Sequence, residues 1–345
     1  MRSHFIHLLT TKELIHHNPV TLKAAKMLQW LLFKSLKIAN VIFSAETERS
    51  TLLVQYFELF GNFVRCMHFR DKNIEMEMLF LIACYCKNIN ILRCTDVSLP
   101  LAFYAILRNN PNIREIWVHN ATCVLSSLMM GLSLHKLQLL SVMDMDCLVG
   151  FPWSESTHST SLQRVEWVNV HIFLSDINAL ARNCPSIRSL SCARIRITDL
   201  SLQSYLLNMP ELVNLSMSGN TVATDDSVLF ITQNLACLRT LNIQKCKELT
   251  VQSLVHIAEH ARQLEVLYVD INDSGDAMEQ AVELFSQKCT NITFSNINCN
   301  FILCTTTCTS SLLNGCPSLR TLVINEFAHI TRTTRKLCAL VKPQL

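Results

Sequence analysis

Glycine is scarce in this chain, at six residues in 345, and none of the six is spaced as a nucleotide fingerprint. A phosphate-cradling loop needs glycine so that backbone can approach the anion, so NTP binding is not expected. Charge is also low, at 17% of residues, and the net balance of +3 contains no run of lysine or arginine. Without a basic stripe there is no electrostatic footprint for nucleic acid, and none is expected as a partner. Long apolar runs are missing as well. The stretch from Met78 to Cys84 is among the longest, far short of the roughly 20 residues that a helix needs to cross a bilayer. The opening MRSHFIHLLTTKELIHH has no sustained apolar core and no small-residue cleavage site, so neither a membrane span nor an export signal is expected. Neither H-E-x-x-H nor a paired C-x-x-C occurs. That removes the strong zinc signatures, and no metal or cofactor is expected.

Cysteine, by contrast, is abundant, at sixteen residues spread along the chain. A disulfide scaffold is usually short and secreted; this chain is long and lacks an export signal, which favours reduced thiols in the cytosol or nucleus. Such thiols pack as small hydrophobes. Half of the residues are hydrophobic, ample for a continuous core.

A motif of the form hydrophobic-x-x-hydrophobic-x-hydrophobic recurs along most of the chain. Its clearest copies begin at Ile187, Leu212, Leu238, Leu264 and Leu319, in SIRSLSC, ELVNLSM, CLRTLNI, QLEVLYV and SLRTLVI. Extended backwards, the template adds Leu162, Leu137, Ile113, Ile89, Val64 and Ile38, and a degenerate copy at Ile292 fills the remaining gap. Successive starts are 26, 25, 24, 24, 25, 25, 25, 26, 26, 28 and 27 residues apart, giving twelve units. After the motif come helical patterns, such as TVQSLVHIAEHA from Thr250 and LSDINALARNC from Leu174. Each unit therefore reads as a strand, a turn and a helix. Neither element buries its apolar side alone, but stacked in register they form an α/β leucine-rich-repeat solenoid, a horseshoe with a parallel concave sheet and outer helices.

Three residues before the motif, cysteine stands at Cys86, Cys184, Cys289 and Cys316, with Pro185 and Pro317 following; Asn110-Pro111 and Met209-Pro210 take the same slot. Proline there stops the preceding helix and turns the chain into the strand. Eight residues after the motif start, Asn220, Cys246 and Asn272 occupy a turn where a side chain can meet backbone groups. The unit CLRTLNIQKCKELTVQSL and the segments CPSIRSL and CPSLRTL resemble the cysteine-containing leucine-rich repeat. That subtype is typical of the F-box/leucine-rich-repeat family, which recruits substrates to SCF ubiquitin ligases, and of related solenoids without an F-box.

The organisation expected is a helical segment over 1–36 followed by the solenoid over 37–345. Residues 1–36 are either a cap over the apolar end of the solenoid or a degenerate or truncated F-box. LLTTKEL (Leu8 to Leu14), Trp30 and FKSLKI (Phe33 to Ile38) loosely resemble the latter, whereas its Leu-Pro opening is absent and His16, His17 and Pro19 interrupt the helix. The family resemblance implies that this segment docks a Skp-type adaptor and, through it, a cullin.

Several groups look chemical and read more simply as structure. Cys299, Cys304 and Cys308, between Cys289 and Cys316, are read as buried thiols rather than a metal site. His16, His17, His119 and His171 form no pattern with a nucleophile and a carboxylate. Asp144 and Asp146 lack the glycine-turned loop of a cation site, and Asp225-Asp226 is expected to start a helix. The acceptor patterns at Asn120, Asn214, Asn272 and Asn291 are read as chance matches to a glycosylation signal.

Strand alternation sends the fourth and sixth motif residues inward and the third, fifth and seventh to the open face. The face should therefore present Arg93; Glu115, Trp117 and His119; Leu139 and Met143; Arg164 and Glu166; Tyr268 and Asp270. Ser189, Ser191, Ala193, Asn214, Ser216 and Ser218 give smaller or neutral side chains. Trp117, Leu139 and Met143 are expected to form one partner-binding patch unless a loop covers them, and the segment 148–160, with Phe151 and Trp153 either core or exposed, is the candidate cover. The expected function is non-catalytic protein binding in the cytoplasm or nucleus, as a substrate receptor like those of the family. The competing expectation is a stand-alone repeat protein that regulates an enzyme or a small GTPase, and an enzyme ranks last.

Overall fold

The computed structural model describes residues 39–43, 57–58, 61–70, 76–97, 103–121, 136–149, 161–172, 174–271, 276–299 and 306–323. The segment 1–36, most of the loop 148–160 and the turn residue Asn272 lie outside the described residues. The chain divides into two compact units, Met1–Leu162 and Gln163–Leu345.

In the first unit, β1 (Ala39–Phe43), β2 (Val64–Arg70), β3 (Ile91–Thr95), β4 (Glu115–His119) and β5 (Leu139–Val149) lie side by side in chain order, each parallel to the next. Helices α1 (Met76–Tyr85) and α2 (Phe103–Asn109) form the described crossovers. In the second unit the strands are β6 (Arg164–Ile172), β7 (Ser189–Ala193), β8 (Asn214–Ser216), β9 (Thr240–Ile243), β10 (Val266–Ile271), β11 (Phe294–Cys299) and β12 (Thr321–Val323). They are also parallel in chain order. Between them run α3 (Leu174–Asn183), α4 (Asp199–Leu206), α5 (Asp225–Asn234), α6 (Val251–His260), α7 (Asp276–Lys288) and α8 (Thr306–Gly315).

The register follows the sequence period. Asn40, Cys66, Ile91, Glu115 and Leu139 are successive strand partners in the first unit. Arg164, Ser189, Asn214, Thr240, Val266, Phe294 and Thr321 are the same in the second. Each is the third residue of its motif, so all twelve starts share one phase, including the degenerate copy at Ile292. Among the described pairings the entry to β1 carries an irregularity, between Ala39 and Asn40.

The inward rows are apolar and almost wholly shielded: Leu92 and Cys94, Ile116 and Val118, Leu140 and Val142, Leu190 and Cys192, Leu241 and Ile243, Leu267 and Val269. Each large side chain buried in this way contributes about 1.5–3 kcal/mol by leaving water. The pre-strand slot is buried at Cys86, Cys184, Cys289 and Cys316, and at Met209. The Cys289 and Cys316 thiols lie 3.8 Å from the carbonyl oxygens of Ile257 and Ser286 in the preceding units. Where asparagine takes the slot it bonds more fully. Asn110 Nδ2 donates to the carbonyls of Cys86 and Ile106 at 2.8 Å, and Oδ1 accepts from Ile89 N–H at 2.8 Å. An amide buried without such partners would cost more than a thiol in the same place.

The turn position behaves similarly. Asn220 Nδ2 donates to Ile197 O at 2.9 Å while its Oδ1 accepts from the N–H groups of Val222 and Ala223. Cys246 donates through Sγ to Met217 O at 3.3 Å. One residue earlier in the phase, the backbone turns left-handed in unit after unit: Asp96, Asn120 and Asp144 in the first, Asn169, Arg194, Gly219 and Lys245 in the second. Helices α4, α5 and α6 then start behind capping threonines, Thr198, Thr224 and Thr250, whose hydroxyls accept from the first helical turn. Asp225 and Asp226 open α5 as expected.

Candidate protein-binding face

Alternation along β2 to β5 builds a grid of outward side chains. Cys66, Ile91, Glu115 and Leu139 form the first row, His68, Arg93, Trp117 and Ser141 the second, and Arg70, Thr95, His119 and Met143 the third. Neighbours within a row are about 4.8 Å apart, and rows are about 6.6 Å apart. Arg70 and Arg93 are exposed; Glu115, Trp117, His119 and Met143 are half-buried. Leu139 departs from expectation: its place on this face is right, yet it is 7% exposed, and Ser141 beside it is fully buried. The open apolar patch of Trp117, Leu139 and Met143 is therefore narrower than parity alone implies, because bulky side chains flank the small Ser141.

Trp117 organises what remains. The guanidinium of Arg93 sits 5.5 Å from the indole centroid, a cation over a π face. The indole Nε1 donates to Glu115 Oε2 at 3.2 Å. His119 stands edge-on to the same ring at 5.9 Å, and its Nε2 shares a hydrogen bond with Ser141 Oγ at 3.1 Å. Sequence reasoning missed three further members. His68 Nε2 pairs with Thr95 Oγ1 at 3.1 Å across β2 and β3, and Arg70 is the register partner of Thr95. The same parity rule finds His68 and Arg70 once it is applied to the Val64 unit, and Thr95 as the seventh residue of the Ile89 unit. Burial, then the positive charges of Arg93, Arg70 and His119, hold the His68 imidazole below its ordinary pKa.

In the second unit Arg164 is exposed and Glu166 half-buried at the first and second rows of β6. Tyr268 lies against Phe294 of β11, with centroids 4.8 Å apart, a pairing hidden in the sequence by the degenerate Ile292 unit. Asp270 works mainly as a rivet between units. Its carboxylate accepts from Lys245 N–H at 2.8 Å and from Gln244 Nε2 at 3.3 Å. Between these ends the face is small and polar, with Ser189, Ser191, Asn214, Ser216, Thr240 and Asn242 all half-buried.

Helix α6 carries another signal that was missed. His256-Ile-Ala-Glu259-His260 places two imidazoles four residues apart on one helix side, a metal-ligand spacing. Among the described residues no group of three or more His, Cys, Asp or Glu side chains is placed to hold an ion, and Glu259 instead faces His260 at 3.8 Å. Cys299, Cys304 and Cys308 have no described side chains.

No protein-family model and no curated protein matches this sequence. Solved structures do resemble it. A chain of the yeast Rad7 and Elc1 complex matches with a TM-score of 0.54 and 16% identity, over 86% of this chain and 79% of that one. An internalin from Listeria monocytogenes matches with a TM-score of 0.50 and 16% identity, over 86% of this chain and 88% of that one. The fold is a leucine-rich-repeat solenoid. Its cysteine-bearing slots, its parallel strands in one phase and its asparagine and cysteine turns are the structural content of that name in this chain.

Proposed function

We propose that the chain is a non-catalytic protein-binding scaffold of the cytoplasm or nucleus, a substrate-recognition subunit resembling those of SCF ubiquitin ligases. The observation that carries the reading is the set of side chains around Trp117: a half-buried indole with an exposed arginine over its face, beside a carboxylate and two histidines. Large rigid aromatics beside arginine are the composition of interface anchors, since they bury area at low entropic cost. In this reading residues 1–36 dock a Skp-type adaptor and cullin while the open face holds the target. The yeast neighbour was itself crystallised with a second protein, Elc1, which is the kind of assembly the reading requires.

The test is affinity purification of the tagged full chain, its 1–36 deletion, and Trp117→Ala. The adaptor and cullin should co-purify with the full chain and with Trp117→Ala, and be lost on deletion. Absence of both from the full chain, with its circular dichroism intact, rejects the ligase assignment.

A further inference from the structure

From the four basic side chains gathered around Thr95 on the face of the first unit, we infer that this face seats a carboxylate-bearing, Asp/Glu-rich segment of a protein partner. The inference deepens the protein-binding reading and rests on it.

Thr95 is the centre of the arrangement. Arg93 precedes it by two residues on β3, Arg70 and His119 are its register partners on β2 and β4, and His68 bonds its hydroxyl. Strand and row spacing bring all four basic groups within side-chain reach of an anion placed over Thr95. Arg70 and Arg93 are exposed, and among the described residues neither has a carboxylate within salt-bridge distance. Arg93 lies over the Trp117 ring and is exposed, so stacking leaves its in-plane N–H donors available to a docked carboxylate.

The acids near this face are committed or lie at its edge. Glu115 takes the Trp117 indole N–H, Asp96 just past β3 takes the Asn120 amide at 2.5 Å, and Asp144 lies within β5, at its left-handed residue one position beyond Met143 of the third row. The sign of the local field is read at His68, where Arg93, Arg70 and His119 add to the effect of burial and no carboxylate offsets them. A docked acidic segment supplies the missing counter-charge, and the guanidinium fork of Arg93 suits a carboxylate. A chain with a net charge of only +3 thus sets two exposed guanidiniums, Arg70 and Arg93, at one spot of a repeat-built face, with His68 and His119 beside them as neutral hydrogen-bonding groups or, at lower pH, further cations.

Fluorescence anisotropy of the full chain tests this with three labelled decapeptides: one of alternating Glu and Asp, its Gln/Asn counterpart, and a neutral peptide with one phosphoserine. The acidic peptide should bind more weakly as salt rises, with the amide counterpart about tenfold or more weaker. Arg93→Ala and Arg70→Ala should each weaken binding several-fold, while Arg108→Ala on α2 should not. Equal affinity for the acidic and amide peptides overturns the inference, as does binding of the phosphopeptide alone or indifference to both arginines. The two readings fail separately. Loss of a co-purifying target in Trp117→Ala without any acidic-peptide binding removes only the acidic partner, whereas acidic-peptide binding without adaptor and cullin removes only the ligase.

Discussion

Thr250 caps α6 and, with the same hydroxyl, donates to the Asp225 carboxylate of the preceding unit at 2.6 Å. Thr224 repeats the arrangement one unit earlier, donating to Asp199 at 2.9 Å. Backbone N–H groups of both threonines, and the hydroxyls of Ser227 and Ser253, complete the two aspartate sites. Thr250→Ala removes a helix cap and an inter-unit bond together, and should cost about 1–2 kcal/mol in urea unfolding, with Thr250→Ser recovering most of it.

The same ladder sets a dependence on acid. Burial acts to raise the Asp199 pKa, but bonds from Ser227 and Thr224 outweigh it and hold the carboxyl below its ordinary 3.8. A carboxyl with a depressed folded pKa stabilises above the unfolded value and ceases to do so as pH falls through the folded value. Stability measured down through that range should fall less steeply in Asp199→Asn than in the parent chain.

Lys245 sits in a left-handed turn at φ 57°, where glycine carries no Cβ penalty. Lys245→Gly keeps the N–H that reaches Asp270 and should raise stability by about 0.5–1 kcal/mol. Gly219→Ala, at φ 74° with its added Cβ 3.0 Å from Arg194 Cγ, should lower it. Opposite shifts in the thermal midpoints would establish that the turns at Gly219 and Lys245 share one left-handed conformation; equal shifts would count against it.

The His68 ring should titrate below 6.5 in a proton NMR experiment, and Arg93→Ala should move it upward. Because its folded pKa is depressed, the folded chain takes up the proton less readily than the unfolded one. Its contribution to stability is therefore kept above 6.5 and declines as pH falls from there toward the folded value. Arg93 on the flanking β3, Arg70 on the same strand and His119 on β4 are the charged or titratable groups that act on it, and the Arg93 substitution is the cleanest way to isolate the effect.

Thiol labelling of the native chain should separate two classes. Cys84 and Cys237 are exposed, whereas Cys66, Cys86, Cys94, Cys184, Cys192, Cys246, Cys289 and Cys316 are buried. Burial pushes Cys86, Cys192 and Cys289 up to about 12, so little thiolate exists there at neutral pH. Mass mapping after brief iodoacetamide treatment should find Cys84 and Cys237 modified first. Early modification of Cys289 or Cys316 would contradict their placement in the pre-strand slot.

The fold was legible because period and phase are properties of the linear chain. Motifs spaced by 24 to 28 residues became neighbouring strands with their third residues paired, a shift between Ala39 and Asn40 apart, and the pairing holds at the Ile292 unit, where the pattern itself is faint. Parity placed Arg93, Glu115, Trp117 and His119 on the outward side. It could not report how far a neighbour shields a side chain, so Leu139 was expected open and is buried. Nor could it foresee which partners the rotamers would choose, such as Arg93 with Trp117 or Tyr268 with Phe294. The threonine-aspartate ladder was visible in principle, since Thr198-Asp199 and Thr224-Asp225 recur in phase, but its bonding exists only when two units stack.

The recurring left-handed turns also make the chain editable. Arg194 and Gly219 occupy equivalent points, so excising residues 195–219 would join Arg194 to Asn220 and reproduce the junction that the turn already uses. Such a cut removes one strand spacing, about 4.8 Å of sheet, and takes with it the Ile197 carbonyl and the Asp199 carboxylate that Asn220, Thr224 and Ser227 bond. The length of the face is therefore set in whole steps of one strand and one helix, and a step closes cleanly only where the neighbouring units carry matching partners for the aspartate sites.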